Sequence, residues 1–233
     1  MNLNRRAATI AGVLFIIGTV AGILSIAPAI DAPDYLTKAS ANANQVIIAA
    51  FFQFVIATAY VGIAILLYPI LRRYDESLAL GFLSFRIIAA VFLIVGVTSA
   101  LLLLALSQEF VKAGALDSSY FQTLGGLLRT GRDLVNHVAM PWTLIVSALM
   151  FYFVLYQTKL VPRWLSGWGL VGTTVSIWAT LLVMFRLIEI ITPIYIVLAI
   201  PWALQEMVLA VWLIVKGFNP TVIATFRQNK ETP

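Results

Sequence analysis

Apolar residues are gathered into six long runs: Ala7 to Ala27, Val46 to Tyr68, Leu78 to Leu106, Leu134 to Tyr156, Trp168 to Leu187 and Ile194 to Val215. About 20 apolar residues cross a hydrocarbon core roughly 30 Å thick, so every run is long enough for one transmembrane helix. None reads as a strand, because barrel segments run about ten residues and alternate apolar with polar positions. The pattern predicts an all-α, polytopic membrane protein: a single domain over residues 1–233 with six transmembrane helices. The third run exceeds what a bilayer requires, which predicts a tilted or projecting helix. The first run follows Asn4-Arg5-Arg6 and ends at Ala27-Pro28-Ala29, imitating a secretory signal with its small-residue cleavage site. Its apolar part is longer than the roughly 7 to 15 residues of such a signal, which predicts a retained helix.

The polar connections set the rest of the organisation. Two are long: Pro28 to Gln45, rich in Ala, Asn and Asp, and Ser107 to Asp133. Within the second, Asp117-Ser118-Ser119 is an N-cap signal ahead of Tyr120 to Leu128, predicting a short surface helix that lids the bundle between the third and fourth spans. Lysine and arginine distribute unequally. Arg5, Arg6, Arg72, Arg73, Lys159, Arg163, Lys216, Arg227 and Lys230 fall on the side of the N-terminus, against Lys38, Lys112, Arg129, Arg132 and Arg186 on the other. By the positive-inside rule both termini are expected in the cytoplasm. Trp164 and Trp168, in a turn read as Pro162 to Gly169, are expected to anchor that boundary.

Composition agrees with this class and narrows the chemistry. Hydrophobic residues make up 61% of the chain and charged residues 11%, with a mean hydropathy of +0.98, whereas about a quarter of a soluble domain is charged. With no cysteine, disulfides, thiolate catalysis, iron–sulfur clusters and cysteine zinc sites are excluded. His137 is the single histidine, which argues against a histidine metal centre. No cofactor is implied. Basic residues occur in twos at loop ends rather than as a stripe, so nucleic acid is not an expected partner and the lipid bilayer is.

Polar groups inside the spans carry the candidate chemistry, because an ionisable side chain at helix-centre depth costs about 2.5 to 3.5 kcal/mol on insertion scales and needs a partner or a wet cavity. Arg86 lies roughly 12 Å into the third run and Glu206 roughly 15 Å from Lys216 in the sixth, at 1.5 Å per residue. Opposite charges at matching depth predict an ion pair, with Gln205 or Gln53 adding hydrogen bonds. Such a pair is either a clasp that fixes helix packing or part of a polar substrate or proton site. A second group gathers near the outer face: Glu109, Arg129, Arg132, Asp133 and His137, with Arg186 and Glu189. Asp133 and His137 are four apart and share a helix face. They could orient an imidazole for proton transfer, or hold a metal if Glu109 or Glu189 joined them; as solvated interfacial charges they would do neither. Pro141, one turn after His137, is expected to kink the fourth helix. Gly18 and Gly22 form a G-x-x-x-G pair that permits close helix approach, a possible dimer face.

Several strings resemble one known family. Ser107-Gln108-Glu109-Phe110-Val111-Lys112-Ala113-Gly114, Arg132-Asp133 with His137, Leu160-Val161-Pro162-Arg163-Trp164-Leu165-Ser166-Gly167-Trp168-Gly169-Leu170, and Ala203-Leu204-Gln205-Glu206-Met207-Val208-Leu209-Ala210-Val211-Trp212 are similar to the bacterial membrane-protein family catalogued as domain of unknown function 4386. The resemblance implies a six-helix protein of the bacterial inner membrane and no established activity. It assigns no catalytic or ligand role.

Three functions stay open on these grounds. The first is binding or transport of a small amphipathic or polar molecule through an outward-reached cavity lined by the third, fourth and sixth helices, with Arg86, Glu206, Gln205, Gln53, Glu109 and Arg132 as ligand-binding candidates. No inverted repeat or broken-helix pair supports a secondary transporter; a homo-oligomer could supply the missing architecture. The second is an intramembrane enzyme on a lipid-like substrate, with Asp133 and His137 as acid and base and Arg132 or Arg129 holding an anionic head group. The third is a structural or regulatory partner subunit that docks through Ser107 to Leu128.

Overall fold

The computed structural model describes residues 3–114, 118–190 and 192–228. Asp117, the expected N-cap, and Lys230 lie outside them. In chain order the helices are α1 (Leu3–Leu24), α2 (Pro28–Asp31), α3 (Tyr35–Ala41), α4 (Ala43–Leu71), α5 (Glu76–Lys112), α6 (Ser118–Leu134), α7 (Met140–Thr158), α8 (Arg163–Met184), α9 (Pro193–Val215) and α10 (Pro220–Gln228), with a π-helical turn at Val135–Ala139. No strand occurs among the described residues. Six helices are long and apolar enough to cross a membrane: α1, α4, α5, the continuous α6–α7 rod, α8 and α9. The chain is a multi-pass, all-helical membrane protein.

Each spanning helix packs chiefly on its neighbours in sequence, and α9 returns to close on α1. The result is a ring of six antiparallel helices. Axes about 9 Å apart put the centre of such a ring about 9 Å from every helix axis, so an axial space roughly 6 to 8 Å wide must be filled by side chains or something else. At the end where α1 begins and α9 finishes, hereafter the proximal end, it is filled. Phe15, Ile63, Leu67, Phe82, Phe151, Tyr152, Leu165, Leu209 and Leu213 converge there from all six spans as one buried core, with the Phe82 and Phe151 rings stacked at 5.2 Å. Apolar side chains such as Phe51, Ile65, Leu80, Leu102, Val171, Trp178 and Val197 point outward, as lipid-facing surfaces do.

The connections depart from expectation in physically simple ways. Pro28 to Gln45 is not a plain loop: Ala29, Ile30, Leu36 and Ala39 are buried, and α3 packs on α5 through that apolar stripe. The surface helix expected over Tyr120 to Leu128 is present but longer, and it runs through the π-turn into α7 without a break. Together with the last turns of α5, whose 37 residues extend about 55 Å, it forms a hairpin that overshoots a 30 Å hydrocarbon core. At Pro141, the expected site of a kink, the helix continues as α7, and just before it lies the π-turn, in which the Met140 amide reaches back to the Val135 carbonyl, the usual way a helix absorbs one extra residue. The turn expected from Pro162 to Gly169 is instead the opening of α8, with Pro162 as its N-cap residue.

Candidate functional site

Away from the proximal end the axial space stays open as a cavity of about 1010 Å³, lined from all six spans. α1 contributes Gly18, Thr19 and Gly22, α4 contributes Gln53, Ile56 and Tyr60, and α5 contributes Leu93. The π-turn supplies Asn136 and His137, the end of α8 supplies Val183, and α9 supplies Glu206. The distal rim is charged: Asp31, Arg129, Arg132, Asp133, Arg186 and Glu189. The first two spans form much of the wall, a contribution that reading buried charge alone did not reveal.

The floor is built around Arg86. It is 1% exposed and sits about 15 Å from the proximal end of α5, level with Glu206 about 14 Å from the end of α9, at the helical rise per residue. Arg86 Nη2 and Glu206 Oε1 are 3.7 Å apart. That is charge contact but too long for a hydrogen bond, and none of the three Arg86 nitrogens has a hydrogen-bond partner. The guanidinium is held by rings instead: its carbon lies 5.4 Å from the Phe15 centroid, 5.3 Å from Tyr60 and 5.6 Å from Phe82, all within cation–π range. Glu206 thus stands between a caged cation and the cavity, its Oε1 accepting no hydrogen bond.

Further unpartnered groups surround the same space. Gln53 Oε1, Asn136 Oδ1 and Arg132 Nε are buried without a hydrogen bond, although each residue is at least nine-tenths buried. Gly96 on α5 makes room for Asn136, whose amide occupies the space a Cβ at residue 96 would take. Most buried polar groups in folded proteins are paired; besides these, Tyr152 Oη, Trp202 Nε1 and Gln205 Oε1, away from the cavity lining, are also without a partner.

At the distal end two arginines organise the rim. Arg132 Nη1 donates to Asp31 Oδ1 at 2.5 Å and to Asp133 Oδ1 at 3.1 Å. Arg129 donates to the carbonyls of Asp31 and Ala32 at 2.5 and 3.2 Å, tying α2 to α6, and lies 5.5 Å from the Tyr35 ring. Burial raises the Tyr35 phenol above its ordinary pKa, against the pull of Arg129.

Among residues singled out from sequence, Glu206, Gln53, Arg132, Asp133 and His137 line one cavity, with Arg86 behind its floor. Two do not join them. Gln205 donates through Nε2 to the Leu165 carbonyl at 3.0 Å, because one residue along a helix turns about 100° and points it at α8 rather than the cavity. Glu109 pairs with Lys112 at 2.7 Å on the exposed end of α5. Asp133 and His137 share the cavity wall, but the carboxylate is engaged by Arg132 and the imidazole lies edge-on to Tyr195 at 6.4 Å. No group of three metal-ligating His, Asp or Glu side chains occurs among the described residues. Sequence reasoning missed Phe15, Tyr60, Phe82, Asp31 and Asn136; of these Phe82, one turn before Arg86, was within reach of a spacing argument.

A protein-family model described as a domain of unknown function (DUF4386) matches residues 10–217. No curated protein and no solved structure matches the chain.

Proposed function

The chain belongs to the family described as domain of unknown function DUF4386, and we propose that it is a bacterial inner-membrane protein that binds a small polar or amphipathic molecule in its central cavity, for carriage or presentation. Both termini face the cytoplasm in this reading, so the cavity opens toward the outer face. The observation that carries it is the set of unpartnered buried polar groups, Gln53, Asn136, Arg132 Nε and Glu206, around a single space of about 1010 Å³. A group left unsatisfied in a dry interior costs about 1 to 3 kcal/mol. The four side chains line the cavity, and rotation of each toward it would let a bound polar molecule satisfy them. An apolar wall from Leu14, Ile56, Leu93 and Met140 suits a molecule that is only partly polar.

The absence of cysteine makes the test clean. Single Thr19→Cys and Asn136→Cys variants are expected to react with a membrane-impermeant maleimide added from the periplasmic side. Ala148→Cys, at a fully buried position in the packed core, is expected to stay unlabelled. If the two cavity positions react no faster than residue 148, the accessible cavity is lost and the proposal with it.

A further inference from the structure

Building on the reading of the cavity as a binding site, we infer that its distal end recognises a zwitterionic head, with an acidic group on Arg132 and an amine beside Asp133 and Glu189. The geometry of Arg132 is the starting point. Asp31 and Asp133 both hold Nη1, while Nε is buried without a partner and Nη2 makes no hydrogen bond. The Nε–Nη2 edge is where a guanidinium presents two parallel N–H groups, and it takes carboxylate or phosphate oxygens two at a time. Two carboxylates on the opposite side fix the plane of the group and leave that edge for a third acid. Arg186, also on the rim, has no ion-pair partner among the described residues.

Charge balance then selects the rest of the head. Arg129, Arg132 and Arg186 face Asp31, Asp133 and Glu189 at the rim, and Arg86 faces Glu206 at the floor. The lining carries equal numbers of opposite formal charges, so a ligand with net charge would leave one charge without an opposite partner. A zwitterion leaves none. Carboxylate oxygens for its amine are at hand: Asp133 gives Arg132 only Oδ1, and Glu189 forms no ion pair among the described residues. Below the rim, Leu14, Ile56 and Leu93 receive an apolar body. Two sources carry this chemistry: a zwitterionic lipid, or a free amino acid with an apolar side chain.

The experiment measures binding to the purified full chain in mild detergent with four probes. They are dihexanoyl phosphatidylethanolamine, its anionic counterpart dihexanoyl phosphatidylglycerol, leucine, and isocaproate, which is leucine without the amine. At least one zwitterion is expected to bind about tenfold or more tighter than its anionic partner. Arg132→Lys is expected to weaken that zwitterion by about tenfold, because an ammonium offers a point charge in place of two parallel donors. Preference for the phospholipid identifies a lipid source, and preference for leucine a free amino acid. Equal or tighter binding of the anionic probes overturns the inference, as does unchanged affinity in an Arg132→Lys protein that melts like the parent. Should that variant fail to fold, Glu189→Gln at the exposed rim, which removes a carboxylate assigned to the amine, takes its place, and unchanged affinity for the zwitterion there overturns it equally. If no probe binds while Thr19→Cys still labels, the zwitterion inference falls and the accessible cavity stands. If Thr19→Cys does not label, the cavity reading itself has failed.

Discussion

The two halves of α1 meet the rest of the bundle in opposite ways. In the proximal half, Gly12 lies so close to α9 that an added Cβ would come within 2.6 Å of the Ala210 carbonyl oxygen. In the other half, a Cβ on Gly18 would meet only the Ala59 Cβ at 3.8 Å, and one on Gly22 would meet nothing within 4 Å; both glycines line the cavity. One helix therefore uses glycine to close the ring at one end and to leave it open at the other. The G-x-x-x-G spacing pointed to Gly18 and Gly22 as the close-approach pair, whereas the close approach is made by Gly12. Small residues permit contact but do not compel it. Which glycines are filled depends on the facing helix, here α9 below and the cavity above.

If the proximal half is the packed unit that holds the ring together, its upper boundary is where damage costs most. Arg86→Ala empties a ring-lined cage and leaves Glu206 largely buried without its countercharge, for an expected loss of about 3 to 5 kcal/mol. Thermal unfolding in detergent measures it. A loss of under about 1 kcal/mol would show that this boundary is wet enough to screen the pair, and the contrast between the halves would weaken. Next in size is Gly12→Ala. Here the obstruction is backbone, not the tip of a flexible side chain, so α1 and α9 must separate, at about 1 to 3 kcal/mol.

The same contrast divides what was legible in the sequence from what was not. Six spans and their common fold class follow from run length and composition, because a bilayer imposes the same length on every crossing. The level of Arg86 and Glu206 follows from counting residues at a fixed rise. Depth is thus readable along one helix; direction around the axis between helices is not. Phe15 and Tyr60 reach Arg86 from α1 and α4, and nothing in either run marks them. Gln205 misled for the complementary reason, since adjacency to Glu206 in sequence places it on another face. Asp31, which fixes Arg132, belongs to a connection whose apolar stripe, Leu36, Ala39 and Ala43 running on to Val46, is too short and alanine-rich to stand out beside the long spans. The π-turn that turns Asn136 and His137 to the cavity lies just before Pro141, but a kink signal does not say which residues a π-turn will expose.

Two smaller effects sharpen the comparison further. Arg5 donates to the Leu213, Ile214 and Val215 carbonyls at 3.0, 2.7 and 2.9 Å, so α1 satisfies the unpaired end of α9 and brings a cation to its negative pole. The contact is partly exposed, and Arg5→Ala is expected to cost about 1 kcal/mol, seen as a small fall in melting temperature. An unchanged melting point would leave Gly12 as the main support for closure of the ring on this side. Gly22→Ala should then act with the opposite sign to Gly12→Ala. Its methyl enters open cavity, and alanine is favoured over glycine inside a helix by up to about 1 kcal/mol, less here because Gly22 lies in the last turn of α1. A slight rise in melting temperature is expected, with labelling of Thr19→Cys unaffected. A fall comparable to that of Gly12→Ala would mean that Gly22 is in contact with another helix, and that the cavity closes on α1 in the membrane.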